Sequence, residues 1–196
     1  MVPLVQDGAS LSDQELVQAA LRDPNSYAQI VRRYQPALIR YVSRLLGHSG
    51  SQAEDVLQEA FLKAYVNLND YDTARAFSPW IYRIAHNEAV NALRRKRTQP
   101  YTISGDDGQV LMDRILDGSD VQENIDAARR DEKLHAAIAQ LDQRYRDVIM
   151  LRFLEDKSYE DISDILSVPM GTVATLVSRG KQRLRTLLDQ GGLGRE

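Results

Sequence analysis

Two sets of side chains in this sequence carry chemistry suited to a polyanion. The first lies near the C-terminal end. Thr172, Thr175, Leu176, Arg179 and Arg183 recur on one helical face, with Lys181 and Arg185 beside them, and Gly171 to Leu188 holds four cations and no acid. A guanidinium can grip a guanine edge or a phosphate, while threonine and leucine offer hydroxyl and apolar contacts to base edges. The second set is the aromatics Trp80 and Tyr82 with the amides Asn87 and Asn91, followed by the run Arg94-Arg95-Lys96-Arg97. An aromatic for stacking, amides for base edges and cations for phosphates together suit single-stranded nucleic acid. Each set also has a plainer reading. A basic face is often only solvated, Trp80 suits a core, Asn87 and Asn91 serve equally well as solvent-facing amides, and cations ending a helix complement its dipole.

The elements that must hold these side chains follow from periodicity. Ser158 with Asp161 reads as a capping box with Asp in place of Glu, and Tyr159, Ile162, Ile165 and Leu166 continue a short helix. Pro169 stops that helix and opens the next. Val173, Val177, Gly180, Leu184 and Leu187 then form a narrow buried stripe, with Gly180 marking the close approach of another helix. Short helix, tight turn and basic second helix make a helix-turn-helix, whose second helix enters the major groove.

Upstream, Ser12 and Glu15 form a capping box, and Asn25 or Ser26 caps a long helix ending at Gly47, with Pro36 bending or breaking it. Ser51 and Glu54 form a further box before an amphipathic helix. Its core side holds Val56, Leu57, Ala60 and Phe61, and its outer side holds Asp55, Gln58, Glu59, Leu62 and Lys63. Residues 69–77 form a polar loop around Tyr71. Ser78-Pro79 has the residue types of a helix start, a serine cap followed by proline. Helical pattern resumes near Val121 and runs through Leu134, Ile138 and Leu141 into a helix from Asp142.

The 196 residues carry a formal net charge of −3, which alone argues against a nucleic-acid binder. The distribution reverses that impression. Residues 1–97 hold 12 Lys and Arg against 10 acids, residues 127–196 hold 12 against 11, and residues 98–126 hold one against seven. The expected organisation is all-α: an N-terminal domain over 1–97, a flexible acidic linker over 98–126 with one helical turn at 110–116, and a C-terminal helix-turn-helix domain over 127–196. The linker is a solvated spacer, or its acids (Asp106, Asp107, Asp113, Asp117 and Asp120 among them) mask the basic faces. The chain has no cysteine, and His48, His86 and His135 have no ligand spacing, so no metal, cofactor or thiol chemistry is expected. No Ser, His and acid converge on a triad, and no small-molecule substrate or enzymatic activity is expected. Signal-peptide and membrane-spanning patterns are lacking, which predicts a cytoplasmic protein without membrane insertion.

Three runs together resemble one family. They are Asp55-Val56-Leu57-Gln58-Glu59-Ala60-Phe61, then Phe77-Ser78-Pro79-Trp80-Ile81-Tyr82-Arg83-Ile84-Ala85-His86-Asn87, then Pro169-Met170-Gly171-Thr172-Val173. In this order and spacing they resemble bacterial RNA polymerase sigma factors. The small two-domain layout is similar to the extracytoplasmic-function (ECF) group, and the resemblance covers roughly residues 11–97 and 121–189.

The resemblance implies an alternative sigma factor that directs core polymerase to promoters, as in stress responses, under an anti-sigma factor. Asp55, Gln58, Glu59 and Leu62 would meet the clamp helices of the β′ subunit, with the β subunit also in contact. The 69–77 loop would capture an extruded −10 base, with Tyr71, Trp80, Arg83, Asn87, Asn91, Arg94 and Arg95 nearby. Thr172, Thr175, Leu176, Arg179, Lys181 and Arg183 would read the −35 element. The acidic linker would follow the RNA exit channel. Family members usually carry a basic or long residue where Ala174 stands, Ser at Thr175 and Arg at Leu176. Gly180 and Lys181 also depart from the pattern, and Ser163 stands where Ala is usual. Loss of an arginine beside DNA implies an altered −35 preference. The rival from another class is a regulator that binds operators alone, which has no need of the single-strand face.

Overall fold

The computed structural model describes residues 11–47, 50–98 and 133–190, and every regular element among them is helical. The helices are α1 (Asp13–Arg22), α2 (Tyr27–Leu46), α3 (Ser51–Val66), α4 (Phe77–Thr98), α5 (133–140), α6 (Gln143–Phe153), α7 (Tyr159–Leu166) and α8 (Met170–Gln190). Two 3-10 turns, Pro24–Ser26 and Leu68–Asp70, join α1 to α2 and follow α3. The acidic segment beyond α4, with its expected helical turn and its masking or channel roles, lies outside the described residues, as do Val121, Ala127 and Ala128.

Helix starts show where local chemistry acts alone. Both expected boxes at Ser12–Glu15 and Ser158–Asp161 form, each with reciprocal side-chain to backbone bonds. The aspartate of the second reaches the Ser158 amide at 3.1 Å, as the longer glutamate does in the first at 2.7 Å. Three other starts differ from expectation. α3 begins at Ser51 itself, and its cap is Gly50 at φ 152°, a backbone conformation open to glycine. Ser51 therefore makes no cap. Ser26 makes no side-chain cap bond either, because Asp23 has already turned the chain by accepting from the Asn25 amide at 3.0 Å. α4 begins at Phe77, so Ser78 lies inside its first turn. Pro36 does not break α2, which is continuous past it to a left-handed Gly47 at φ 74°.

α1 to α4 form the N-terminal body, in which α2, α3 and α4 all pack on one another. Leu38, Tyr41, Val42, Ala64, Ile81 and Ala85 are fully enclosed. Each large aliphatic side chain so buried contributes about 1.5–3 kcal/mol. Ala85 and Ala89 are small and enclosed, leaving room for the aromatic rings on either side. Tyr27 anchors α2 to α3: its hydroxyl donates to the Phe61 carbonyl at 2.7 Å, and its ring meets Tyr65 edge-on at 5.0 Å.

In the C-terminal body α8 packs on α6 and α7. Val173 and Val177 are buried, and Gly180 lies against Ile149. A Cβ at position 180 would sit 2.9 Å from Ile149 Cγ1, so glycine is what lets α6 and α8 approach. The turn between α7 and α8 places Ser167 in the left-handed region at φ 54°. It is pinned by Ser163, whose hydroxyl donates to the Val168 carbonyl at 2.6 Å. The two bodies touch, with α7 lying against α4.

Candidate nucleic-acid interface

α4 has three sides, and its sequence assigns each a task. Ile81, Ala85, Ala89 and Ala92 face the interior of the N-terminal body. Ser78, Tyr82 and His86, one turn apart, face the C-terminal body. The remaining stripe holds Trp80, Arg83, Asn87, Asn91, Arg94 and Arg95, which fall within about a third of the helix circumference at 3.6 residues per turn. Trp80 and Arg83 are half-buried, and the two asparagines and the two arginines are exposed. A continuous stripe of aromatic, amide and guanidinium groups is thus presented outward.

At the N-terminal end of the stripe lies an open cavity of about 330 Å³ lined by Asp70, Tyr71, Asp72, Arg75, Pro79, Trp80 and Arg83, with Asp164 of α7 at its edge. The loop around it is held from within. Asp72 accepts from the Ala74 amide at 3.0 Å, and Gln14 donates to the Thr73 carbonyl at 3.2 Å. Tyr71 is only 6% exposed. Its ring packs on Phe77 and Trp80 at 5.2 Å, and its hydroxyl donates to the Arg75 carbonyl. Tyr71 therefore forms the floor that shapes the loop and does not stand out from it as a stacking platform. Its periodicity-free loop context gave no sign of this.

α3 distributes its outward residues between two grooves. Asp55 and Glu59 border a mixed-charge groove of about 630 Å³ shared with α4, together with Asn91, Arg94 and Arg95. Lys63 bridges Glu59 at 3.5 Å and the buried Glu88 of α4 at 2.8 Å. Gln58 and Leu62 border a larger, more apolar groove of about 980 Å³ shared with α2, lined by Tyr27, Val31, Ile39, Phe61 and Tyr65. Leu62 is 60% exposed there. The four residues expected to act together thus form a ridge with two different flanks.

On α8, Thr172, Thr175 and Arg179 are exposed, and Leu176 is half-buried. Together they form the leading face of the helix. Thr175 turns its hydroxyl inward to the Gly171 carbonyl at 2.9 Å. Arg183, two turns beyond Leu176, is drawn back by α6: it donates to Asp142 at 2.6 Å and its guanidinium lies 4.5 Å from the Tyr145 ring centre. Lys181 lies on the opposite flank of the helix, its ammonium 5.7 Å from the Phe153 ring centre. It does not share a face with Arg179, because two residues span 200° of helix. The residues expected to form one −35 face are therefore brought together at Thr172, Thr175, Leu176 and Arg179, and not at Lys181.

Several residues that sequence reasoning missed lie where the two bodies meet. Asp147 is buried beside His86, Oδ2 to Nε2 at 3.9 Å, and the His86 Nδ1 pairs with the Tyr41 hydroxyl at 2.9 Å. Burial lowers His86 to about 4 and raises Asp147 to about 7, the nearby Arg146 charge offsetting part of the latter. Burial thus favours the neutral form of both groups, a protonated carboxyl beside a neutral imidazole, between about pH 4 and 7. Among the described residues Asp147 Oδ1 has no hydrogen-bond partner. The only signal in the sequence is an acid within the apolar run of α6, which by itself reads as a solvent-facing position.

Comparisons with known proteins bear on both halves. Residues 30–99 match the model of sigma-70 region 2, and residues 131–184 match that of sigma-70, region 4. The chain is 34% identical over 170 residues to the ECF RNA polymerase sigma factor SigW of Bacillus subtilis, covering 85% of this chain and 90% of the relative. It is likewise 34% identical over 179 residues to the RNA polymerase sigma-H factor of Pseudomonas aeruginosa, covering 88% and 91%. Its fold is shared with CnrH, solved in complex with the cytosolic domain of CnrY, at a TM-score of 0.66, 24% identity and coverage of 91% and 97%. It is also shared with the Bartonella quintana sigma factor RpoE, solved with the anti-sigma factor NepR, at a TM-score of 0.59, 22% identity and coverage of 83% and 96%. The helical body carrying the α4 stripe and the helix-turn-helix carrying the basic face thus match sigma-70 regions 2 and 4, and the chain belongs to the ECF group of RNA polymerase sigma factors.

Proposed function

We propose that this protein is an alternative sigma factor that binds core RNA polymerase, melts and captures the −10 element with α4 and the 69–77 loop, and reads the −35 element with α8. The observation that carries this reading is the pairing of two unlike nucleic-acid faces on one chain. The α4 stripe has the stacking and amide groups of a single-strand reader. The leading face of α8 has the exposed guanidinium of Arg179 beside small and apolar groups suited to a major-groove floor. Duplex attraction, base readout and capture of unstacked bases need no chemistry from the protein itself.

Polymerase docking belongs to the α3 ridge. Gln58 and Leu62 overlook the apolar groove, and Asp55 and Glu59 overlook the mixed-charge one. A helical hairpin such as the β′ clamp would gain most of its affinity from the apolar flank and its orientation from the charged one. An anti-sigma factor holds the protein inactive by covering these same surfaces, a role supported by the complexes in which the structural neighbours CnrH and RpoE were solved.

Run-off transcription on a promoter library with purified core polymerase tests the whole reading. Specific transcripts that depend on this protein are expected. Tight binding to duplex operators with no affinity for core polymerase would instead identify a stand-alone regulator. Within that assay, Gln58→Ala with Leu62→Ala is expected to weaken core binding more than Asp55→Ala with Glu59→Ala. Asn87→Ala is expected to reduce permanganate-reactive open complex while leaving duplex affinity unchanged.

A further inference from the structure

The packing of α8 centres its outward sector on a residue outside the group read from the sequence as the −35 face. At roughly 100° per residue, the inward stripe of Val173, Val177, Gly180 and Leu184 spans about 60° of the helix. Arg183 marks one edge of the outward sector, held by Asp142 at the start of α6 at 2.6 Å. Lys181 marks the other, its ammonium beside the Phe153 ring at the end of α6. The sector between them covers about 200°, and Gln182 lies at its middle, about 170° from the centre of the inward stripe. Thr175, Ser178, Arg179, Arg185 and Thr186 share the sector, and all of them are exposed, as is Gln182. The two threonines turn their hydroxyls onto the backbone: Thr175 donates to the Gly171 carbonyl at 2.9 Å and Thr186 to the Gln182 carbonyl at 3.1 Å. Among the described residues the Gln182 carboxamide has no partner.

We infer that Gln182 is a base-reading residue of this protein, and that it takes an adenine in the major groove close to the guanine read by Arg179. The inference rests on the assignment of α8 to the −35 element. A carboxamide donates and accepts side by side. Its Nε2 donates to adenine N7 and its Oε1 accepts from the adenine N6 amino group, a pairing that no other base offers in this groove. Met170 to Ser178 carries no charged and no amide side chain. Bidentate readout therefore begins at Arg179, and Gln182 is the next outward side chain able to make it. The two lie one turn apart, roughly 4.5 Å along the axis, against a rise of about 3.4 Å per base pair. Their contacts fall on neighbouring pairs or on pairs one apart. From Thr172 to Gln182 the axis runs about 15 Å, some four base pairs, so α8 lies along the groove and does not enter it end-on. Charge fits the same occupant. Arg179 and Arg185 flank Gln182, and Gly171 to Leu188 holds no acid to repel either phosphate wall.

The test uses core polymerase loaded with the full chain, on promoters whose −10 region is fixed and whose −35 region is randomised, with run-off transcripts sequenced. The unsubstituted protein is expected to select an adenine within about two base pairs of the guanine whose preference Arg179→Ala loses. Gln182→Ala should weaken the adenine preference by at least about fivefold and keep the guanine. Gln182→Glu, which can only accept, should move the preference to cytosine, whose amino group donates. On the selected promoter, 7-deazaadenine at that position removes N7. It should lower transcription by the unsubstituted protein and cause no further loss with Gln182→Ala. Helicity by circular dichroism should be unchanged in both variants, since the side chain is exposed and bonds to nothing within α8. An unaltered −35 preference in Gln182→Ala, or a uniform loss over all sequences, overturns the role of Gln182 and leaves α8 on the −35 element. No −35 preference in the unsubstituted holoenzyme, or no transcripts from it, removes the assignment of α8 itself, and the role of Gln182 with it.

Discussion

The two helices proposed to read promoter DNA are built on opposite plans. α4 is enclosed on two sides, by its own body and by the C-terminal body, and reads with the narrow third. α8 has a single buried stripe of Val173, Val177 and Gly180 and leaves the rest of its circumference outward. As the proposed single-strand reader, α4 therefore has an aromatic floor, with Phe77, Tyr71 and Trp80 in mutual contact at 5.2–5.3 Å. The duplex reader has almost no floor, and its precision depends on the turn before it and on how closely α6 approaches. Capturing a flipped base needs a shaped receptor, whereas a major-groove helix meets a receptor already shaped by the DNA.

The largest expected effect separates the two helices by titration. The back of α4 carries His86 against Asp147, whereas the buried stripe of α8 contains no titratable group. Asp147 is raised to about 7, so its contribution to the packed state is complete below its ordinary value near 4 and is lost as pH rises to about 7. His86 is lowered to about 4, so its burial costs nothing above 6.5 and costs more as pH falls toward 4. The two slopes oppose each other, and the contributions of this pair to stability should nearly cancel between about pH 4 and 6.5. Asp147→Asn leaves the histidine alone, and stability should then rise with pH over that window by up to about 1.4 kcal/mol per unit. His86→Gln should reverse the slope. Urea unfolding at half-unit steps of pH measures both, and a flat profile for both variants would break this half of the comparison.

Next in size is the close approach behind α8. Gly180→Val puts a branched side chain where Ile149 already lies 2.9 Å from an ideal Cβ. Overpacking of this kind costs about 1–3 kcal/mol. It should lower the melting of the C-terminal body and weaken −35 duplex binding together, while permanganate reactivity on premelted templates persists. A variant as stable as the parent would show that α6 and α8 have more freedom than their contact implies.

Comparable in energy but narrower in scope is Arg179→Ala. Among the described residues Arg179 has no partner, unlike Arg183 with Asp142. A bidentate contact to guanine gives about 1–3 kcal/mol of discrimination. Selection from random duplexes should lose preference at one or two positions, and an unchanged preference would reduce Arg179 to a phosphate contact. Arg183→Ala should weaken binding to all sequences alike.

The smallest expected effect is at the turn. Ser163→Ala removes the bond to the Val168 carbonyl and should cost about 0.5–1.5 kcal/mol. Departure from the family's usual alanine is thus explained as a pin for the left-handed Ser167. A broadened −35 preference with little change in melting is the expected result in a binding selection. Loss of stability with no change in preference would make Ser163 a packing residue only.

Much of this protein was legible in its sequence because the physics involved is local. Apolar spacing defined the helices, two capping boxes formed where serine preceded an acid by three residues, and Gly180 announced a close helix pair. The same 3.6-residue arithmetic placed Asn87 and Asn91 on one face, and Thr172, Thr175 and Arg179 on another, whereas Tyr82, grouped with Trp80 as a stacking aromatic, is buried against the C-terminal body. The motifs carried the family. Tertiary structure decided what periodicity cannot reach. Ser78 has the residue type of a cap, yet its hydroxyl faces Lys157. Tyr71 was read as a loop aromatic, yet it is a floor. Asp147 and Glu155 are acids of unremarkable local context, yet each is buried against a partner more than sixty residues away. Side-chain periodicity reports which face of a helix is apolar. It cannot report which polar group will meet another across the fold, since that depends on how two bodies, each complete in itself, come to rest together.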